Sequence, residues 1–271
     1  MKVKTWLVGA GVFSLATVVH AVQIGPDPTA ASVEAAGPFA ISSQTIPGSG
    51  FGGATVYSPN TPGTYAIVAF CPGFTARQNS IAVMGRRLAT HGFIVATIDT
   101  NSTSDQPPSR ATQLIAALNA VAAINSGPAA GKIDGSRRVV TGHSMGGGGT
   151  IIAATNNPSL LAAVALAPWS NATKNFSGDK VPTQISVGTA DNIAPAGQHS
   201  TTFYNSMNQN KKMECIIQGA NHFFPQNNPA NQPSSKFQVS WIKRFADGDT
   251  RYSQFLNADS RCATFNSNGP F

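Results

Sequence analysis

The run Arg138-Val139-Val140-Thr141-Gly142-His143-Ser144-Met145-Gly146-Gly147 constrains this chain more than any other stretch. A β-branched segment breaks into G-x-S-x-G and passes directly into small residues with a helical pattern. That layout predicts a strand, a sharp turn that lifts the Ser144 hydroxyl clear of the backbone, and a helix. Glycines at 142 and 146 suit such a turn, because the neighbouring backbones come too close to admit a Cβ.

The rest of the chain agrees with a mostly parallel sheet, since β-rich runs alternate with helical ones. Strands are expected near Thr64–Cys71, Phe93–Thr100, Arg137–His143, Leu161–Ala167, Thr183–Thr189 and Lys212–Gln218. Helices are expected at about Ser80–His91, Ser109–Asn125, Gly146–Asn156, Ala196–Asn208 and Ser234–Phe245. Antiparallel edge strands are expected around Phe39–Ile41 and Gly53–Tyr57. With no internal repeat or linker, residues 22–271 read as one α/β domain.

In such a sheet the functional loops lie beyond the carboxyl ends of the parallel strands. A serine at neutral pH needs a base to take its proton and a third group to orient that base, in the chain order Ser, acid, His. Two histidines follow Ser144. His199 falls within a helical pattern, whereas His222 sits in a loop after the last core strand and is the expected base. Of the intervening acids, Asp179 precedes its strand and Glu214 lies inside one. Asp191, at the carboxyl edge after Ile185–Ala190, is the expected orienting group. His143 is too close along the chain to reach Ser144 and is expected to pack beneath the turn. Developing negative charge on a tetrahedral intermediate calls for two backbone amides. Met145 follows the serine directly, and Phe74 lies in the loop Cys71-Pro72-Gly73-Phe74-Thr75. The rings of Phe74 and Trp169 are expected to wall the cleft.

Composition narrows the setting. Lys2 and Lys4, the apolar stretch Trp6–Val19 and Val19-His20-Ala21 resemble a secretory leader cleaved near Ala21, so export to the periplasm or medium is expected. No stable membrane anchor is expected. The net charge is +7, but the basic residues are scattered apart from Arg86-Arg87, Arg137-Arg138 and Lys211-Lys212. These pairs read as solvated surface, and nucleic-acid binding is not expected. No His/Asp/Glu cluster has metal-ligand spacing, so no cofactor or metal is expected, and a monomer is. The three cysteines, Cys71, Cys215 and Cys262, leave at least one thiol free or in an intermolecular bridge. Cys71 and Cys215 are expected to lie too far apart to pair.

Several motifs taken together resemble the bacterial cutinase-like polyester hydrolases, the group that contains the poly(ethylene terephthalate) hydrolases. They are Pro72-Gly73-Phe74-Thr75-Ala76, Gly142–Gly149, Ala167-Pro168-Trp169, Ala190-Asp191-Asn192-Ile193-Ala194-Pro195, Asn221-His222-Phe223 and Arg244-Phe245. The resemblance implies an α/β-hydrolase fold with an open cleft and no large lid. It also implies Ser144 as nucleophile, His222 as base, Asp191 as orienting acid and an oxyanion hole of Phe74 and Met145. Trp169 then looks like an aromatic platform, with Ile193 and Phe223 lining the groove. The implied activity is cleavage of polyesters and short-to-medium aliphatic esters, with a triacylglycerol lipase as the alternative. Members of the family usually close the C-terminal segment with a disulfide, whose two positions here are Asn257 and Gly269. The resemblance therefore implies that this bridge is absent, with Cys262 lacking an obvious mate. Low charge, abundant glycine and the missing bridge together predict a thermolabile protein.

Overall fold

The computed structural model describes residues 21–227 and 233–271. The leader expected through Ala21 lies almost wholly outside the described residues. Nine strands form one sheet: β1 (Ile41–Ile46), β2 (Ala54–Pro59), β3 (Tyr65–Cys71), β4 (Ile94–Ile98), β5 (Ile133–His143), β6 (Ala162–Leu166), β7 (Thr183–Gly188), β8 (Lys212–Ile217) and β9 (Cys262–Ser267). Their order is β1-β2-β4-β3-β5-β6-β7-β8-β9. The six central strands, from β4 to β8 in that order, run parallel, while β1, β2 and β9 join antiparallel at the edges.

Seven helices complete the described chain: α1 (Ala30–Glu34), α2 (Ala82–Thr90), α3 (Pro107–Ala122), α4 (Met145–Asn156), α5 (Ser200–Ser206), α6 (Phe224–Asn227) and α7 (Pro233–Ala246). Strand periodicity divides the core between the two faces of the sheet. Along β3, Ile67, Ala69 and Cys71 pack with Leu114 and Leu118 of α3 and Ile151 of α4. Ala66, Val68 and Phe70 point the other way, into a cluster with Met84 and Leu88 of α2 and Trp241 of α7. Burial on both faces is why β3 reads as a continuous apolar run rather than an alternating one.

Four expectations need correction. First, α5 is shorter than the predicted Ala196–Asn208. His199 is its N-cap rather than a mid-helix residue, because the backbone around Pro195 forms turns, with Gln198 N–H donating to the Pro195 carbonyl. Secondly, β9 was not expected at all. Its sequence, Cys-Ala-Thr-Phe-Asn-Ser, is polar and largely exposed, so it carries little of the apolar signal that marks a core strand.

Thirdly, β9 brings Cys262 diagonally opposite Cys215 on β8, and the two form a disulfide with Cα atoms 5.5 Å apart. Cys262 thus has a mate, although the bridge positions Asn257 and Gly269 hold no cysteine. Cys71 is the free thiol; burial pushes it up to about 11. Finally, two members of the basic pairs are not solvated. Arg87 is buried and donates to the carbonyls of Val33, Glu34 and Ser235. Arg137 is buried against Asp134, Asp247 and the Thr64 carbonyl.

Candidate active site

The turn after β5 forms as the sequence predicts, and its geometry explains the glycines. Ser144 has φ 56° and ψ −121°, a region that L-residues avoid. A Cβ on Gly142 would lie 2.2 Å from the Gly146 carbonyl oxygen, and one on Gly146 would lie 2.3 Å from that of Cys71. Both are impossible contacts, so β5, α4 and the end of β3 interlock only because these side chains are missing. The strained serine is held at both ends: its N–H donates to Leu166 (3.0 Å), and its carbonyl accepts from Gly148 and Trp169 (both 2.9 Å). Two more non-glycine residues with positive φ follow neighbouring strands, Thr75 (57°) after β3 and Ala167 (43°) after β6. Backbone strain of this kind costs roughly 1–3 kcal/mol per residue and persists where packing over-determines it.

Asp191 follows β7 and His222 follows β8, so both reach the same edge of the sheet as Ser144. The Asp191 Oδ2 accepts from His222 Nδ1 at 2.8 Å, while its Oδ1 accepts the amides of Ile193 (3.0 Å) and Ala194 (2.7 Å). Burial alone would raise the Asp191 carboxyl; the His222 bond and the two amides outweigh it and hold the group below the ordinary carboxylate range. With Nδ1–H committed to a carboxylate, Nε2 is the ring nitrogen left to accept a proton.

His143 packs beneath the turn, as expected, and does more. Its Nε2 lies 2.8 Å from the His222 carbonyl, which can only accept, so Nε2 carries the proton. Nδ1 is then the acceptor for the Gln226 side-chain amide at 3.1 Å. Burial, then the neighbouring His222, push His143 down to about 4, so it stays neutral while it ties the elbow to the loop that carries His222.

Ser144, His222 and His143 line one cavity of about 330 Å³ together with Gly73, Phe74, Ile193, Phe223 and Gln226. Its rim is apolar: Phe74, Ile193 and Phe223 are 50%, 51% and 46% exposed. No hydrogen bond joins Ser144 Oγ to His222 here; such contacts are often long before substrate binds. Phe74 lines the cavity, and the Met145 amide, next to Ser144, is in the first turn of α4, where no intrahelical acceptor exists. Among the described residues, no group of three or more His, Cys, Asp or Glu is arranged to hold a metal ion. No described helix is long and apolar enough to cross a membrane.

A family model described as PET hydrolase-like matches residues 16–268. The chain belongs to this family. It is 46% identical over 260 residues to a cutinase of Thermobifida fusca, covering 93% of this chain and 85% of the relative. Cutinase 1 of Thermobifida cellulosilytica is 47% identical over 246 residues, covering 89% and 93%. The bis(hydroxyethyl) terephthalate hydrolase of Streptomyces coelicolor is 45% identical over 239 residues, covering 86% and 76%. The protein is a carboxylic ester hydrolase with the α/β-hydrolase fold.

Within this PET hydrolase-like chain, the cavity is lined by all but three of the site residues expected from the sequence: Asp191 bonds to His222, Met145 opens α4 next to Ser144, and Trp169, whose amide donates to the Ser144 carbonyl, is not among the lining residues. The Trp169 ring lies 5.8 Å from that of His199, whose Nδ1 accepts the Ser170 amide at 3.3 Å. Sequence reasoning did not find Gln226 or the tie from His143 to His222, because no local pattern marks a contact spanning 79 residues. It also passed over Arg110, which lies behind the Phe74 loop.

Proposed function

We propose that this protein is an exported serine hydrolase that cleaves polyesters, cutin-like or terephthalate-based, and short-to-medium aliphatic esters. Residues 22–271 act as a single catalytic domain and as a monomer after the leader is removed near Ala21. His222 Nε2 takes the Ser144 proton as Oγ attacks the ester carbonyl, and Asp191 holds the resulting imidazolium in register. The oxyanion is received by the amides of Phe74 and Met145. Collapse expels the alcohol, which takes its proton from His222 and leaves an acyl group on Ser144. Water, activated by the same histidine, then releases the acid and restores the enzyme.

The observation that carries this reading is the 2.8 Å contact of Asp191 with His222, which shares a pocket with Ser144. The half-exposed Phe74, Ile193 and Phe223 suit an apolar, extended substrate better than a small polar one, because they offer a contact surface continuous with the nucleophile. Trp169, outside the cavity lining but tied through its amide to the Ser144 carbonyl, is assigned a further aromatic contact for the acyl part.

The test is a profile of p-nitrophenyl esters of increasing chain length, beside emulsified triacylglycerol and a polyester film whose soluble products are separated by liquid chromatography. Terephthalate or hydroxy-acid monomers from the film, with a preference for short acyl chains, are expected. Preference for long chains with an untouched film would overturn the substrate assignment. Sequencing the N-terminus of protein recovered outside the cytoplasm tests export; an intact Met1 there would reject cleavage.

A further inference from the structure

Arg110 is among the largest fully buried side chains of the described molecule, and its three close hydrogen bonds go to backbone carbonyls. Nη1 donates to Pro72 (3.0 Å), Nη2 to Thr103 (2.9 Å) and Nε to Asp105 (2.7 Å). The Asp105 carboxylate is turned elsewhere, accepting from the Ser102 amide (2.9 Å) and the Gln113 side chain (2.8 Å). A guanidinium taken fully out of water is expensive to keep, and a methionine or leucine would fill the same place on α3 with less desolvation. Its bonds therefore need a reason beyond filling space.

The carbonyls it holds supply one. Thr103 also accepts the Thr75 amide at 2.8 Å. Arg110 thus grips the segment 72–75 at both ends, directly at Pro72 and through Thr103 at Thr75. Between the two ties lie Gly73, whose hypothetical Cβ would touch that of Ser144 at 3.0 Å, and Phe74. Thr75, a β-branched residue at φ 57°, would relax from that conformation if its tie were released. Arg110 in turn is set by α4: a Cβ on Gly149 would lie 2.9 Å from the Arg110 Cβ.

We infer that Arg110 is a positioning residue for ester hydrolysis, holding segment 72–75 so that the Phe74 amide faces the oxyanion. This rests on the reading of Phe74 and Met145 as the oxyanion donors. The charge-assisted bonds keep the peptide plane fixed before substrate arrives, which is what a preorganised donor requires.

The measurement compares the wild type with Arg110→Lys and Gly149→Ala, each checked for folding by circular dichroism and for active-site content by titration with a serine-directed phosphonate. Lysine keeps the cation but cannot reach three carbonyls at once; alanine at 149 keeps the guanidinium intact but displaces it by crowding the Arg110 Cβ and the Pro107 carbonyl. For p-nitrophenyl butyrate, kcat is expected to fall about tenfold to a hundredfold with KM within about twofold. The inhibition constant of phenylboronic acid, whose serine adduct is tetrahedral, should rise by the same factor as kcat falls. Should Arg110→Lys fail to fold, Gly149→Ala carries the test. A folded, fully titratable variant with wild-type kcat overturns the inference, as does a kcat loss matched by an equal loss of titratable serine. Those outcomes leave the catalytic reading standing, which falls separately if Ser144→Ala retains turnover.

Discussion

Two regions of this molecule are held together by different means. At the carboxyl ends of β3, β5 and β6, order comes from backbone fitted to backbone: three strained residues with positive φ, glycines with no room for a Cβ, and an arginine bonded to carbonyls. The C-terminal edge is instead tied by side chains. The Cys215–Cys262 bridge joins β8 to β9, and Lys236–Asp259, Arg261–Glu34, Arg251–Asp27 and Lys243–Asp247–Arg137 lace α7 and the final segment to the body. Among the ion pairs described, only His222–Asp191 belongs to the cavity. The contrast has a physical basis. Salt bridges and disulfides hold parts together but tolerate small displacements, whereas a catalytic constellation needs its atoms placed to within fractions of an ångström.

The contrast can be broken most directly at Ser144. Replacement by alanine should lower kcat by about 10⁴-fold or more while leaving the thermal midpoint within a few degrees. Retained turnover on p-nitrophenyl butyrate would show that the strained turn serves no catalytic purpose. Next comes the close packing itself. Gly146→Ala, driven into the Cys71 and Pro72 carbonyls at 2.3 and 2.4 Å, should cost about 3–5 kcal/mol or prevent folding. Gly197→Ala, with nothing within 4 Å, should be neutral within about 0.5 kcal/mol. Equal effects in urea titrations would refute the view that the site is locked by absent side chains.

At the C-terminal edge, Cys215→Ser paired with Cys262→Ser should lose about 2–4 kcal/mol, because the bridge closes a long loop between residues 47 apart, yet leave kcat unchanged. A fall in kcat at a temperature where the variant stays folded would mean that the two regions are coupled. The smallest effect concerns His91, buried far from the cavity with Nε2 on the Ala35 carbonyl. Burial, then the nearby Arg87, push it down to about 3. Its folded value lies below its unfolded one, so its stabilising contribution is complete above about pH 6.5 and is lost as pH falls toward 3. Between those limits it removes about 1.4 kcal/mol per pH unit. His91→Gln should flatten the acid limb of stability between pH 6.5 and 5 by about 2 kcal/mol, read from denaturant midpoints.

How much could be read in advance follows from how far apart the cooperating residues lie. Val139, Val140 and Thr141 announce a strand, and Gly142 and Gly146 announce the turn, because each signal is local. Asp191 and His222 were found across 31 residues by a topological rule, since parallel strands deliver their following loops to one edge. Cys262 was misjudged because its strand is an exposed edge with no apolar pattern, and its partner is fixed only by register with β8. Arg87 and Arg137 were misjudged because a basic pair looks alike in sequence whether water or carbonyl oxygens surround it. The carbonyl that holds Arg137 is 73 residues away.

By itself, the amino-acid sequence determined the α/β order of elements, the interlocking turn at Ser144 and the delivery of Asp191 and His222 to the same edge of the sheet, since these depend on short-range sterics and a fixed connection rule. Only the tertiary structure decided the disulfide partner, the neutral tie from His143 to His222 and the arginine behind the Phe74 loop. Each of those is a contact between distant segments whose geometry exists only once the sheet is closed and water is expelled. Polarity in the sequence states what a side chain can bond to; burial selects which bond it makes.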